Sequence, residues 1–224
     1  MTHRGAIARA AAIPRLILIT DPAFADDQVV RAVHAVAGTL ARGAFAVQLR
    51  DKRRPTVSLR LFAWRLRIAT RAVGARFFVN GEVSVARDVG ADGVHLGHGA
   101  CSVAEARRVM GAGTWVSVAT HSDENVRRAA ARGADAVVVS PIFASRSPFP
   151  FDAVKQARGP EAVRSALEYA RGKMAVYALG GVTADTAHAC AAAGADGVAL
   201  IRAWLEGAEP CRAVRAIHDA FALR

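Results

Sequence analysis

The chain has 224 residues and a mass of 23.5 kDa, with 53% hydrophobic and 6% aromatic residues. That is enough apolar side chain to fill one sizeable core, and no apolar run reaches the ~18–20 residues of a membrane span. The formal charge of +11 would suit an anionic substrate, but Arg42, Arg60, Arg65, Arg67, Arg71, Arg107, Arg108, Arg127 and Arg128 are spread over predicted helices without interleaved aromatics. Solvated helix faces therefore explain the charge better than a nucleic-acid surface does.

Cys101, Cys190 and Cys211 share no metal-site spacing and cannot all pair, which points to a reducing cytoplasm and to no structural zinc. Residues 1–14 are basic and alanine-rich with no apolar core and no cleavage site, so they read as a disordered tail and not as a signal peptide. Residues 15–224 then form one domain.

The first strand is 16–20, and the Asp21-Pro22 that follows it reads as a turn. Asp26 is placed to cap a first helix that carries Val29, Val33, Val36 and Leu40 on one face and ends at Gly43. Strand two, 45–49, delivers Gln48, Arg50 and Lys52 at alternate positions. In extended chain these share a face, so an amide, a guanidinium and an ammonium converge on one anionic group. Helix two, 57–73, carries Leu61, Trp64 and Ile68 on one face, which is expected to be core.

Strand three ends in Asn80-Gly81-Glu82. Strand four contains His95, expected as a hydrogen-bonded core histidine, with His98 in the loop beyond. Strand five ends at Thr120 and His121; Ser122 suits a helix cap, which leaves His121 as an imidazole at the top of a loop and a candidate for catalysis. The proline-punctuated loop after strand six contains Ser145, Ser147, Phe149 and Phe151 and suggests a lid, and Pro160 opens the next helix. Residues 176–179 form a strand that ends in Gly180-Gly181, where amides approach a ligand closely. Thr183 is then expected to cap an alanine-rich helix over 186–193, and the last helix, 210–223, carries Val214, Ile217 and Phe221 inward.

A phrase beginning Gly-Ala recurs at Gly43, Gly90, Gly133 and Gly194, at spacings of 47, 43 and 61 residues. Those spacings fit two β-α units each. Other strand candidates lie between the copies, giving eight strands alternating with helices. The strands are apolar on consecutive positions, as strands of parallel sheets are. The expected fold class is α/β, a single (β/α)8 TIM barrel.

The series ITD, QLRDK, VNGEVSVARDVGADGVHLG, VSVATHS, GADAVVVSPIF, ALGGV and GADGVALI, over roughly 16–204, resembles the family of thiamine phosphate synthase and the TenI-type thiazole tautomerase. The resemblance implies the same barrel fold and a role in thiamine biosynthesis. It implies pyrimidine and pyrophosphate contacts at Gln48, Arg50, Lys52 and Asn80, further substrate contacts at Ser145 and Ser147, and a thiazole phosphate on the amides of Gly180, Gly181, Ile201 and Arg202. It also places His121 at the catalytic histidine of the family. Loops after strands seven and eight are the usual barrel phosphate site, which supports the phosphate assignment independently.

The chain departs from the synthase pattern where that enzyme handles Mg²⁺ and pyrophosphate. Gly81 and Ala100 stand at the two aspartate positions, Ala119 at a serine and Pro148 at a lysine. Mg²⁺ is commonly held through one or two carboxylates plus phosphates. The preferred expectation is therefore an Mg²⁺-independent thiazole tautomerase with no cofactor. The alternatives are thiamine phosphate synthase, with Mg²⁺, and a non-catalytic thiazole-phosphate-binding relative. The partners expected are a phosphorylated thiazole and a pyrimidine pyrophosphate, with no nucleic acid and no membrane; assembly into a homo-oligomer stays open.

Overall fold

The computed structural model describes residues 13–144 and 156–221. Eight strands alternate with helices: β1 (Leu16–Ile19), β2 (Phe45–Leu49), β3 (Arg76–Asn80), β4 (Gly93–Leu96), β5 (Trp115–Thr120), β6 (Ala136–Val139), β7 (Ala175–Leu179) and β8 (Gly197–Leu200). They close in sequence order into a parallel barrel, with β8 pairing β1. The helices are α1 (Asp26–Ala37), α2 (Thr56–Val73), α3 (Val83–Asp88), α4 (Val103–Met110), α5 (Asp123–Ala131), α6 (Glu161–Ala170), α7 (Ala187–Ala192) and α8 (Pro210–Asp219). This is the (β/α)8 barrel expected from the sequence.

Alternation along each strand splits the apolar residues into two cores. Outward-facing Leu16, Leu18, Val47, Val79, Val94 and Val137 pack under the helices. Inward-facing Ile17, Ile19, Ala136, Val138, Ala175, Tyr177 and Ala199 form a separate cluster inside the barrel. At the floor of that cluster the Tyr177 hydroxyl donates to the Pro14 carbonyl at 2.7 Å, and Ile13 packs alongside. Gly197 makes room for the ring, since a Cβ there would lie 2.8 Å from Tyr177 Cε1 and 2.3 Å from the Arg15 carbonyl oxygen.

The recurring Gly-Ala-Asp phrase has a structural cause. Gly90, Gly133 and Gly194 have φ of 60°, 71° and 107°, which end the preceding helix segments. Asp92, Asp135 and Asp196 then each make the same two bonds to the preceding strand. Their amides donate to the carbonyls of Phe77, Val116 and Val176, each at 2.8 Å. Their carboxylates accept from the amides of those same residues at 2.7, 2.9 and 2.8 Å. The Asp thus fixes the register of β4, β6 and β8 at the bottom of the barrel, the face that serves stability. The first copy has Phe45 in place of the aspartate.

Several local expectations change in the folded chain. Helix α1 ends at Ala37 with Gly38 as its C-cap, before Leu40 and Gly43. Asp26 does not cap it; the N-cap is Ala25, and the Asp26 carboxylate takes both Nη atoms of Arg54 at 2.8 and 2.9 Å. Thr183 does not cap α7 either: its amide donates to Thr186 Oγ1, and the helix starts at Ala187. Pro160 occupies the N-cap position of α6 and not its first turn. Arg67 and Arg107 are not solvated helix charges, because they bind Asp92 and Asp135 at 2.7 and 2.8 Å.

The largest correction concerns α2, whose core face is Leu59, Phe62, Ala63, Leu66 and Ala69, while Leu61, Trp64 and Ile68 face solvent. Other expectations hold: Ser122 accepts the Asn125 amide at the start of α5, and Val214, Ile217 and Phe221 are buried.

Candidate active site at the carboxyl end of the barrel

The interior is apolar on β1 and β6–β8 but polar on β2–β5, where Gln48, Asn80, His95 and Ser117 occupy neighbouring strands. Strand register sets Asn80 beside His95 and His95 beside Ser117. Gln48 is buried, and its Oε1 accepts from Asn80 Nδ2 at 2.9 Å. His95 Nδ1 lies 2.9 Å from Ser117 Oγ. This is the hydrogen-bonded histidine expected from the sequence. Burial first, then the positive charges of Arg50, Lys52 and His121, push its pKa down to about 4, so the ring is neutral near pH 7. Gln48 Nε2 is buried with no hydrogen-bond partner among the described residues, so it is a donor left open for a bound acceptor.

Thr20, at the end of β1, positions the cationic segment that follows β2. Its Oγ1 accepts from the Arg50 amide at 2.9 Å and lies 3.2 Å from the Arg50 carbonyl oxygen, fixing the Arg50 backbone to the neighbouring strand. Asp51 accepts from the amides of Arg53 and Arg54 and from Arg54 Nε, shaping the turn that carries Lys52. The sequence placed Gln48, Arg50 and Lys52 together but gave no sign that Thr20 and Asp51 hold them. Hydroxyl-to-backbone bonds across strands leave no periodic signal.

His121 is exposed above β5. Its Nδ1 lies 2.9 Å from the Ser140 carbonyl oxygen at the end of β6. With Nδ1 donating to that carbonyl, the neutral ring keeps its lone pair on Nε2 for use as a base; the Ser140 hydroxyl, 3.2 Å from Nδ1, supports the other tautomer when it donates instead. The end of the strand-six loop is tied down nearby. The Arg158 amide donates to the Pro141 carbonyl at 2.9 Å, and Arg158 Nη2 donates to Asp123 at 2.8 Å. Ser145, Ser147, Phe149 and Phe151 lie outside the described residues.

On the opposite side, β7 and β8 bring Gly180-Gly181 next to Ile201-Arg202. The glycines have φ of 101° and 62°, and a Cβ on Gly181 would lie 2.5 Å from the Ala144 carbonyl oxygen. The close approach that requires glycine is therefore to the loop after β6 as well as to any ligand. The amides of Gly180, Gly181, Ile201 and Arg202 donate to no backbone acceptor among the described residues. Arg202 Nε faces Asp21 at 3.9 Å and Glu206 at 3.4 Å, and Trp204 Nε1 donates to the Ile19 carbonyl at 3.0 Å, anchoring the loop to β1. Asp21 is the turn residue that the sequence indicated, accepting from the Ala23 amide at 3.0 Å.

The thiamine monophosphate synthase family matches residues 16–204. The chain belongs to this family. A thiamine-phosphate synthase of Methanoculleus marisnigri is 40% identical over 184 residues, which are 81% of this chain and 84% of that one. A putative thiamine-phosphate synthase of Geobacter sulfurreducens is 36% identical, covering 90% and 92% of the two chains. Among solved structures, thiamine phosphate pyrophosphorylase of Pyrococcus furiosus superposes with a TM-score of 0.80 at 29% identity, covering 96% of this chain and 98% of that one.

At the two positions where the synthase pattern has aspartates, this family member offers Mg²⁺ no carboxylate, and Glu82 is the carboxylate left at the end of β3. Gly81 and Ala100 offer none, Asp51 is committed to its turn and to Arg54, and Asp21 to Ala23. Among the described residues no three of His, Cys, Asp or Glu come together as a metal site.

Proposed function

We propose that the chain is a thiamine-phosphate synthase, joining a pyrimidine pyrophosphate to a thiazole phosphate with loss of pyrophosphate. The observation that carries this reading is that the mouth offers two separate groups of anion-binding atoms. Arg50 and Lys52 lie near His95, on the polar side that also carries Gln48 and Asn80, and the four amides of 180–181 and 201–202 follow β7 and β8, with β1 between β8 and β2. A condensation of two phosphorylated substrates brings a pyrophosphate to one group and a phosphate to the other; a thiazole carboxylate phosphate brings one phosphate and only a singly charged carboxylate, which makes less use of a guanidinium and an ammonium together. The unpartnered Gln48 Nε2 suits a ring acceptor of the pyrimidine, and Arg50 and Lys52 would carry the charge that builds on the leaving pyrophosphate. The names of the relatives support the same choice over the tautomerase.

A thiazole tautomerase is the second reading, favoured by Gly81 and Ala100 and by the free Nε2 of His121. One imidazole acting as base and then acid can carry a proton from carbon to carbon. Two turnover assays on purified protein, each in EDTA and in excess Mg²⁺, separate the readings. Condensation of pyrimidine pyrophosphate with thiazole phosphate supports the synthase. Isomerisation of a thiazole carboxylate phosphate that persists in EDTA and disappears in His121→Ala, without condensation, would replace it by the tautomerase. Phosphate binding with no turnover in either assay would leave a binding protein.

A further inference from the structure

By sequence, Arg50, Lys52, Arg53 and Arg54 form one cationic cluster with Asp51 inside it. The fold sets Arg54 apart from the others. Its three guanidinium nitrogens all donate to carboxylates of the protein: Nε to Asp51 Oδ2 at 3.0 Å, and Nη1 and Nη2 to the two oxygens of Asp26 at 2.9 and 2.8 Å. Its Cζ lies 4.8 Å from the ring centre of Phe62, a buried residue of α2, where cation and ring attract. Arg54 therefore ties the turn after β2 to the first residue of α1 and to α2. Its guanidinium is committed to the protein and not to a bound anion.

Asp51 stands between the two cations assigned above to the pyrophosphate. Alternation in extended chain turns its side chain to the other face from Arg50 and Lys52. Arg54 helps to keep it there: Oδ1 accepts from the amides of Arg53 and Arg54 at 3.1 and 3.2 Å, Oδ2 accepts from Arg54 Nε, and the side chain is only 8% exposed. Without that guanidinium, Oδ2 would lose its charged partner while still largely buried, a costly state for a carboxylate. The nearest cations to relieve it are Arg50 and Lys52, its own chain neighbours. A carboxylate turned toward them would fill the anion site from within, because guanidinium and ammonium groups offer carboxylate and phosphate the same donors. Thr20 holds only the backbone of Arg50 and does not oppose that rotation.

We propose, on the reading of Arg50 and Lys52 as the pyrophosphate group, that Arg54 is a positioning residue: it keeps that anion site open by holding the Asp51 carboxylate away from it. Calorimetric titration of the whole chain with inorganic pyrophosphate, in EDTA and in Mg²⁺, tests this. Arg54→Met should bind pyrophosphate about tenfold more weakly than wild type, the order of effect when a charged hydrogen bond within the protein must be displaced first. Its affinity for thiazole phosphate should not change. Adding Asp51→Asn to Arg54→Met should restore most of the lost pyrophosphate affinity, and by more than Asp51→Asn alters wild type, since the asparagine oxygen still accepts from the turn amides but carries no competing charge. Unchanged pyrophosphate affinity in Arg54→Met would overturn the proposal. So would a loss that Asp51→Asn does not repair beyond its effect in wild type, which would make Arg54 a structural brace only. A wild-type chain that binds no pyrophosphate, with or without Mg²⁺, would remove the anion site itself and the synthase reading with it. If Arg54→Met does not fold, as read by far-ultraviolet circular dichroism, Arg54→Lys takes its place in the same comparison, because a lysine reaches one carboxylate and cannot bridge two.

Discussion

The buried His95 makes the stability of this barrel depend on pH in a way that can be calculated. In the unfolded chain its imidazole has the ordinary value of 6.5, and in the fold burial, together with Arg50, Lys52 and His121, lowers it to about 4. Below 6.5 the unfolded state therefore binds a proton that the folded state refuses. The contribution is fully present above pH 6.5 and is lost as pH falls toward 4. The whole difference corresponds to roughly 3 kcal/mol, and about 2 kcal/mol of it is lost between pH 7 and pH 5. Replacing His95 by Asn keeps a hydrogen-bonding group beside Ser117 and removes the titration. Urea unfolding at pH 7, 6 and 5 should show wild type losing about 2 kcal/mol more than His95→Asn over that range. The absolute stability of the variant is not the test, since a smaller side chain also leaves a cavity. Equal slopes for the two proteins would refute the reasoning, by showing that His95 protonates in place without cost.

Asp92→Ala removes an acceptor of the Phe77 amide and the partner of the largely buried Arg67, and should cost about 3 kcal/mol by denaturant unfolding, at the low end for a broken buried pair because Asp92 itself is partly exposed. In Gly181→Ala the new Cβ at 2.5 Å from the Ala144 carbonyl oxygen, in a backbone at φ 62°, must displace the turn. Thiazole-phosphate affinity by calorimetry should fall at least tenfold, and unchanged affinity would remove these amides from the phosphate site. Gln48→Leu deletes a donor that has no partner among the described residues, together with the acceptor of Asn80 Nδ2, so beyond a loss of stability from the Asn80 bond it should weaken binding of the pyrimidine pyrophosphate about tenfold, as expected for a lost buried hydrogen bond. An unchanged KM for that substrate, with only the unfolding midpoint lowered, would show that Gln48 is purely structural.

The architecture was legible because its cause is local and repeated. A strand covered by helices outside and by side chains inside must be apolar at consecutive positions, and each Gly-Ala-Asp phrase marks one helix end and one strand start. The clustering of Gln48, Arg50 and Lys52 was legible for a similar reason, since alternation in extended chain puts them on one side. The helix α2 shows where such reasoning stops. Leu59, Phe62, Ala63, Leu66 and Ala69 form one apolar stripe, and Val57, Leu61, Trp64 and Ile68 form another. Both have helical spacing, and periodicity alone does not say which of two apolar faces meets the barrel.

What the sequence by itself determined is the set of eight βα units, their parallel order, and the loop ends at which chemistry-bearing side chains emerge. Only the tertiary structure decided which polar groups are already satisfied. Asp26, Arg67, Asp51 and Asp92 each look free in the chain, and each is held by a group at least three and as many as 28 residues away. Gln48 Nε2, in contrast, is left without a partner at the mouth among the described residues. The physical reason is that hydrogen bonds and ion pairs depend on ångström-scale geometry between distant segments, whereas burial of apolar surface depends mainly on a periodic pattern that the sequence carries in plain view.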